Sequence, residues 1–193
     1  MNYIHYVVAL LNNFSLIGNK ELLDSRSIYV LASQFYTSYT SAILSTFIPY
    51  FCASGIAILL RYSDAITPLI LDIIERNTGT CMILYDKLIA IPSSGTIVKL
   101  LEKNACCLVI PKHAWLKDNK PVIELLATLY TGILITESVS AKEFNYSVSC
   151  TLDANKELFV IPGTIYTKTS QGTNYLIRRG ATLIQRPSEV NFD

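Results

Sequence analysis

The sequence predicts one α/β domain: a mostly parallel central sheet of about seven strands with helices on both faces. Three observations carry that prediction. A length of 193 residues suits a single compact domain better than two. Hydrophobic residues at 51% against charged residues at 16% exclude an intrinsically disordered chain. Short, continuously apolar runs alternate with amphipathic stretches, the pattern of strands buried on both faces and joined by helical crossovers.

Residues 3–15 read as a short N-terminal helix that stops at the turn residues around Gly18 and Asn19. Strands are expected at 28–32, 50–53, 81–84, 106–110, 132–136, 158–161 and 181–184. Helices are expected at 38–46, 63–76, 94–104, 119–129, 145–154 and 173–179. With no repeat and no low-complexity linker, the organisation is a leading helix over 1–17, one Rossmann-like core over 18–187 and a tail over 188–193.

No charged residue occurs between Ser27 and Leu60, and 42–60 is mostly apolar over a bilayer-spanning length. Pro49 and the turn-forming Ala53-Ser54-Gly55 argue against a membrane helix, and for a helix, a buried strand and a tight turn. Nothing basic precedes the first apolar run, so no signal peptide is expected. The five cysteines lack C-x-x-C spacing and lie far from His5 and His113, which disfavours a disulfide framework or a zinc site. Buried thiols in a reducing, cytoplasmic compartment fit better, with no metal and no cofactor. Sixteen Lys and Arg against fifteen Asp and Glu leave +1, so any basic site must be local.

Ligands of parallel sheets bind at the carboxyl ends of strands, which directs attention to the loops after Ala32, Ala53, Leu84, Thr136 and Ile161. None carries G-x-G-x-x-G or G-x-x-x-x-G-K-[ST], so dinucleotide and P-loop sites are not expected. The most specific stretch runs from Glu157 to Ile184: Pro162-Gly163, then Ser170, Gly172, Asn174, Leu176, Ile177, Gly180 and Ala181. It resembles the V-P-G … S-x-G-x-N-x-L-I-x-x-G-A signature of the DprA/Smf family of DNA-processing proteins. Gly18-Asn19-x-Glu21-Leu22-Leu23, Ser54-Gly55-Ile56-Ala57, Pro92 and Ile133-Leu134-Ile135-Thr136-Glu137 are fainter echoes. The resemblance covers the Rossmann-like core and implies sequence-independent binding of single-stranded DNA without catalysis. It also implies protection of the strand, delivery to a RecA-type recombinase, and a homodimer.

Departures from the family bear on affinity. The arginine of its V-G-S-R loop is Gln34 here, after Ser33, and its F-P-x-R-N-R run becomes Lys120-Pro121-Val122-Ile123-Glu124. Its S-G-S-L-x-T-A loop is replaced by Lys142-Glu143-Phe144-Asn145-Tyr146-Ser147. Each change removes a phosphate-pairing charge or a glycine that admits close backbone approach.

Candidate DNA contacts are Ser33, Gln34, Ser54, Gly55, Lys168, Ser170, Gly172, Asn174, Arg178 and Arg179. Each has a plainer alternative. Arg178 and Arg179 equally complement a helix C-terminus, Ser54-Gly55 equally forms an ordinary turn, and Asn174 equally caps a helix. Leu176 and Ile177 are candidates for a dimer interface or for core packing. Lys156, Lys168, Arg178, Arg179 and Arg186 face only Glu157 between 156 and 186, with Tyr166 and Tyr175 interleaved, a pattern suited to phosphates and stacked bases. Asp86 and Glu137 end strands but have no sequence partner for acid–base work. Two other readings stand beside DNA binding: a protein-interaction remnant, and a nucleotide phosphoribohydrolase resembling the lysine-decarboxylase-like family. The latter rests on Pro92-Ser93-Ser94-Gly95-Thr96…Glu102.

Overall fold

The computed structural model describes residues 12–88, 90, 92, 94–112, 120–140 and 142–192, with Pro121 described by its backbone alone. Eight strands form one sheet: β1 (Phe14–Gly18), β2 (Ser27–Leu31), β3 (Ala57–Arg61), β4 (Cys81–Leu84), β5 (Cys106–Pro111), β6 (Gly132–Ile135), β7 (Glu157–Val160) and β8 (Thr182–Leu183). Their spatial order is β1-β5-β4-β3-β2-β6-β7-β8, and every pairing is parallel except β1 with β5. The chain therefore lays strands outward from β2 in one direction and, from β6 on, in the other. The reversal between β2 and β6 opens a crevice at their carboxyl ends.

Alternate residues of each strand serve the two faces, as pleating requires. Ile28, Val30, Ile58, Leu60, Ile83 and Leu108 pack beneath α1 (Ser38–Ala53), α2 (Thr67–Arg76) and α3 (Thr96–Glu102). Tyr29, Leu59, Met82, Val109, Ile133 and Val160 pack on the other side, with α4 (Lys120–Leu129), α5 (Asn145–Asp153) and α6 (Gln171–Arg178). The residues expected as a tail also pack: Val190 is buried, and the ring of Phe192 meets Phe159 edge-on at 5.9 Å.

Two expectations are corrected. Residues 50–53 are not a strand but the last turn of α1, which runs through Pro49. Thr40, Leu44, Phe47, Ile48 and Phe51 are buried at helical spacing, and that packing outweighs the hydrogen bond lost at proline. Phe14 and Ser15, expected to end a helix, belong to β1, an added edge strand on β5. The rest of that expected helix lies outside the described residues, as do His5 and His113. The expected Ala53-Ser54-Gly55 turn is present, and among the described residues no helix is long and apolar enough to cross a membrane. All five cysteines are free thiols; a hydrogen bond with Cys106, reinforced by burial, holds Cys81 well above the usual thiol range.

Candidate functional site

The crevice is organised around one carboxylate. Glu137, directly after β6, is buried and accepts hydrogen bonds from the Thr37 amide (2.7 Å), the Thr37 hydroxyl (3.0 Å) and the Thr169 hydroxyl (2.5 Å). Its own carbonyl accepts from the Ser33 amide at 2.8 Å. Burial alone would raise this acid, but the donors from Thr169 and Thr37 prevail and hold it below the usual glutamate range. Glu137 thus stays ionised and ties together the loops that follow β2, β6 and β7. Asp86 ends β4, three strands away in the sheet, so the two acids do not pair.

The family-like signature builds the adjoining wall. Asn174 accepts from the Gly163 amide (3.2 Å) and donates to the Gly163 carbonyl (2.9 Å), clamping the loop after β7. A side chain at Gly163 would meet Ser170 Oγ at 2.0 Å, and one at Gly172 would meet Ser138 Oγ at 2.3 Å and the Ser140 carbonyl at 2.6 Å. Ser170 and Gly172 are themselves buried. All four pack the loops together, a role the spacing alone does not reveal, and Gly163 and Ser170 also border the cleft.

What remains open is a cleft of about 510 Å³ lined by Thr37, Tyr39, Glu137, Gly163, Ser170 and Gln185. Tyr39 in its lining is 43% exposed, and the same loops carry exposed Phe35 (65%), Ile165 and Tyr166 (91%). Tyr39 donates to the Pro162 carbonyl at 2.7 Å, fixing its ring across the cleft mouth. Gln34, Lys168 and Arg186 are exposed on the same loops. Phe35 and Tyr39 were not singled out in the sequence; their signal is aromatic residues directly after a strand's carboxyl end.

Other predicted contacts lie elsewhere. Ser54 and Gly55 follow α1 and precede β3, so they occupy the amino edge of the sheet, opposite the crevice. The loop after β3 is instead Tyr62-Ser63-Asp64. Arg178 and Arg179 end α6, which carries the chain back to the amino edge, where Arg179 lines a groove with Lys156 and Thr182. Arg179 also lies over Tyr175 and donates to its hydroxyl at 3.1 Å. Lys156 donates to the Thr128 and Tyr130 carbonyls, and burial brings its ammonium down to about 8. Leu176 is 8% exposed within the core, whereas Ile177 is only partly covered. For the phosphoribohydrolase reading, Glu102 closes the far end of α3 from Gly95-Thr96, and Ser93 lies outside the described residues.

Comparison with known proteins agrees with this architecture. Residues 112–192 match the family model of DNA recombination-mediator protein A. Protein Smf of Escherichia coli (strain K12) is 30% identical over 66 residues, which are 34% of this chain but only 18% of the relative. The X-ray structure of DNA processing protein A (DprA) from Streptococcus pneumoniae shares the fold with a TM-score of 0.75 and 16% identity, covering 95% of this chain and 71% of that one. DNA processing protein A from Helicobacter pylori, whose structure concerns its single-stranded DNA binding mode, gives 0.72 and 17%, over 91% of this chain and 83% of that one. The molybdenum cofactor carrier protein MCP from Chlamydomonas reinhardtii shares the fold more distantly, at 0.52 and 8% over 85% and 92% of the two chains. Its signature residues lock the carboxyl-edge loops of the same sheet, and over residues 112–192 the chain is similar to the DprA/Smf family, whose fold it shares.

Proposed function

We propose that the chain binds single-stranded DNA at the carboxyl edge of its sheet, without chemistry, and that base stacking rather than phosphate pairing leads. The observation that carries this reading is exposed Tyr39 in the lining of a neutral-to-acidic cleft whose loops also carry exposed Phe35 and Tyr166, with Lys168 and Arg186 as cations next to lining residues in the chain. Aromatic faces accept any base, so such a surface is tolerant of sequence. Glu137 supports binding over catalysis, because its oxygens are already committed to Thr37 and Thr169. Delivery of the strand to a RecA-type recombinase belongs to the same reading. So does self-association, which falls to Ile177 because Leu176 is enclosed.

Fluorescence anisotropy of a labelled oligonucleotide tests the reading. Tyr166→Ala with Phe35→Ala is expected to weaken binding at least tenfold, as each stacked base contributes about 1–3 kcal/mol. Lys168→Glu with Arg186→Glu should weaken it less, and the wild-type salt slope should be shallow, near −1.4 for about two phosphates. Arg178→Glu with Arg179→Glu should leave binding intact. Loss of binding in that last pair alone would move the site to the amino edge and overturn the proposal.

A further inference from the structure

At the amino edge of the sheet, opposite the crevice, a cleft of about 340 Å³ opens where the end of α4, the turn before β7 and Phe192 meet. Lys156 lines it, with Tyr130, Thr131, Asn155, Glu157 and Phe192. A tight turn after α5 brings Lys156 there: Asn155 takes a φ of 52°, and the Lys156 amide donates to the Thr151 carbonyl at 3.0 Å. The Lys156 ammonium donates to the Thr128 carbonyl at 3.1 Å and to the Tyr130 carbonyl, both from residues that also line the cleft. It stands 5.2 Å from the centroid of the Tyr130 ring.

Neither carbonyl supplies a full counter-charge. Among the described residues no carboxylate stands within ion-pair distance of this ammonium, although Glu157 follows it in the chain and lines the same cleft. Arg179, which lines the neighbouring groove with it, adds only like charge. A half-buried cation without a counter-ion is disfavoured by lost solvation, and burial brings Lys156 down to about 8. An ammonium has three protons and the two carbonyls use two. Loss of the third keeps both hydrogen bonds and leaves a lone pair directed away from them.

We propose that Lys156 is an acylation site, modified by small acyl phosphates that enter this cleft. The Nζ lone pair attacks the acyl carbon, a C–N bond forms, the C–O bond to phosphate breaks, and hydrogen phosphate leaves with the proton that the amine gives up. Charge selects this class of modification. The amide is neutral and ends the desolvation penalty, whereas an aldehyde would leave a cationic iminium and carbon dioxide an anionic carbamate beside carbonyl oxygens. The rings of Tyr130 and Phe192 give the acyl chain apolar neighbours.

Acetyl phosphate added to the intact chain at pH 7.4, with the modified lysines followed by peptide mass spectrometry, tests the site. Lys156 is expected to acylate at least tenfold faster than exposed Lys168 in the same sample. An amine near 8 is neutral in about one molecule in five, against about one in a thousand for an ordinary exposed lysine. The advantage should vanish in concentrated urea, which removes the cleft and keeps the sequence. The Lys156 rate should also stop rising between about pH 8 and 9, where ordinary lysines are still gaining neutral amine. Lys156→Arg, which keeps donors for both carbonyls, should remove the fast site and no other. Equal rates at Lys156 and Lys168, or an advantage that persists in urea, would overturn the proposal. Both outcomes are read on wild type, so the decision does not depend on whether Lys156→Arg folds.

Discussion

From Ser27 to Pro111 the sheet is secured by apolar burial: Ile28, Val30, Ile58, Leu60, Ile83 and Leu108 are fully enclosed beneath three helices. From residue 112 on, burial is supplemented by contacts that admit one residue type each. Gly163 faces Ser170, Gly172 faces Ser138, Asn174 grips Gly163, and Glu137 gathers Thr37 and Thr169. Cores tolerate many apolar substitutions of similar volume, whereas a glycine against a carbonyl tolerates none. The family model matches the second region, although the first also holds one such contact, at Gly79 against Cys52 Sγ. Of the exposed aromatics that suit a ligand, Phe35 and Tyr39 lie outside the matched region and Tyr166 within it.

The comparison can be broken most severely at Leu176. Leu176→Arg would bury an unpaired guanidinium and cost on the order of 4 kcal/mol, read as a lowered urea midpoint, whereas Ile177→Arg should stay folded. A folded Leu176→Arg that altered only oligomeric state would return Leu176 to an interface. Next, Gly172→Val should lose roughly 3 kcal/mol through overpacking against Ser138 and Ser140, against only about 1 kcal/mol for Ile58→Val in the first region. Equal losses would erase the distinction.

Glu137→Gln comes third, at about 2 kcal/mol near neutral pH, because charge-assisted hydrogen bonds become neutral ones. The folded-state carboxyl is lowered, so its contribution is complete above the ordinary glutamate range and is lost as pH falls through the lowered value. The gap between wild type and variant should therefore close in acid; a gap independent of pH would mean the carboxylate charge is not what the loops use. Smallest is Gln34→Arg, exposed on the loop after β2. It should change stability by less than about 0.5 kcal/mol, yet steepen the salt dependence of oligonucleotide binding by about 0.7. An unchanged slope would remove this loop from the site.

Six of the seven expected strands stand within a residue of their observed positions, because continuous apolar runs such as Cys106–Pro111 are legible wherever a strand is buried on both faces. Residues 50–53 mislead because Pro49 signals a break, whereas the helical spacing of Leu44, Phe47, Ile48 and Phe51 carries the helix through it. β1 was missed because it is an edge strand with a mixed burial pattern and no continuous apolar run. At the site, Pro162-Gly163 and Ser170 to Asn174 are legible as a spaced motif, but their packing is not, because it depends on Ser138 and Ser140 some thirty positions away from Gly172. That Arg178 and Arg179 stand at the amino edge is not legible in their spacing from Pro162-Gly163. Eight helical residues carry the chain about 12 Å, enough to cross from one end of the strands to the other.

The wiring of Glu137 makes the molecule indivisible. Its carboxylate meets Thr37, 100 positions earlier, and β6 takes half of its ladder from β2. A fragment of residues 112–192 would carry the whole family signature and still leave a buried anion short of donors and Gly132–Ile135 as a bare apolar strand edge, a template for aggregation. Such pairings between distant parts of a chain form late, since loop closure must precede them. The crevice is therefore a product of the finished sheet, and mapping its function by excision would report misfolding, whereas point changes on the intact chain report contacts.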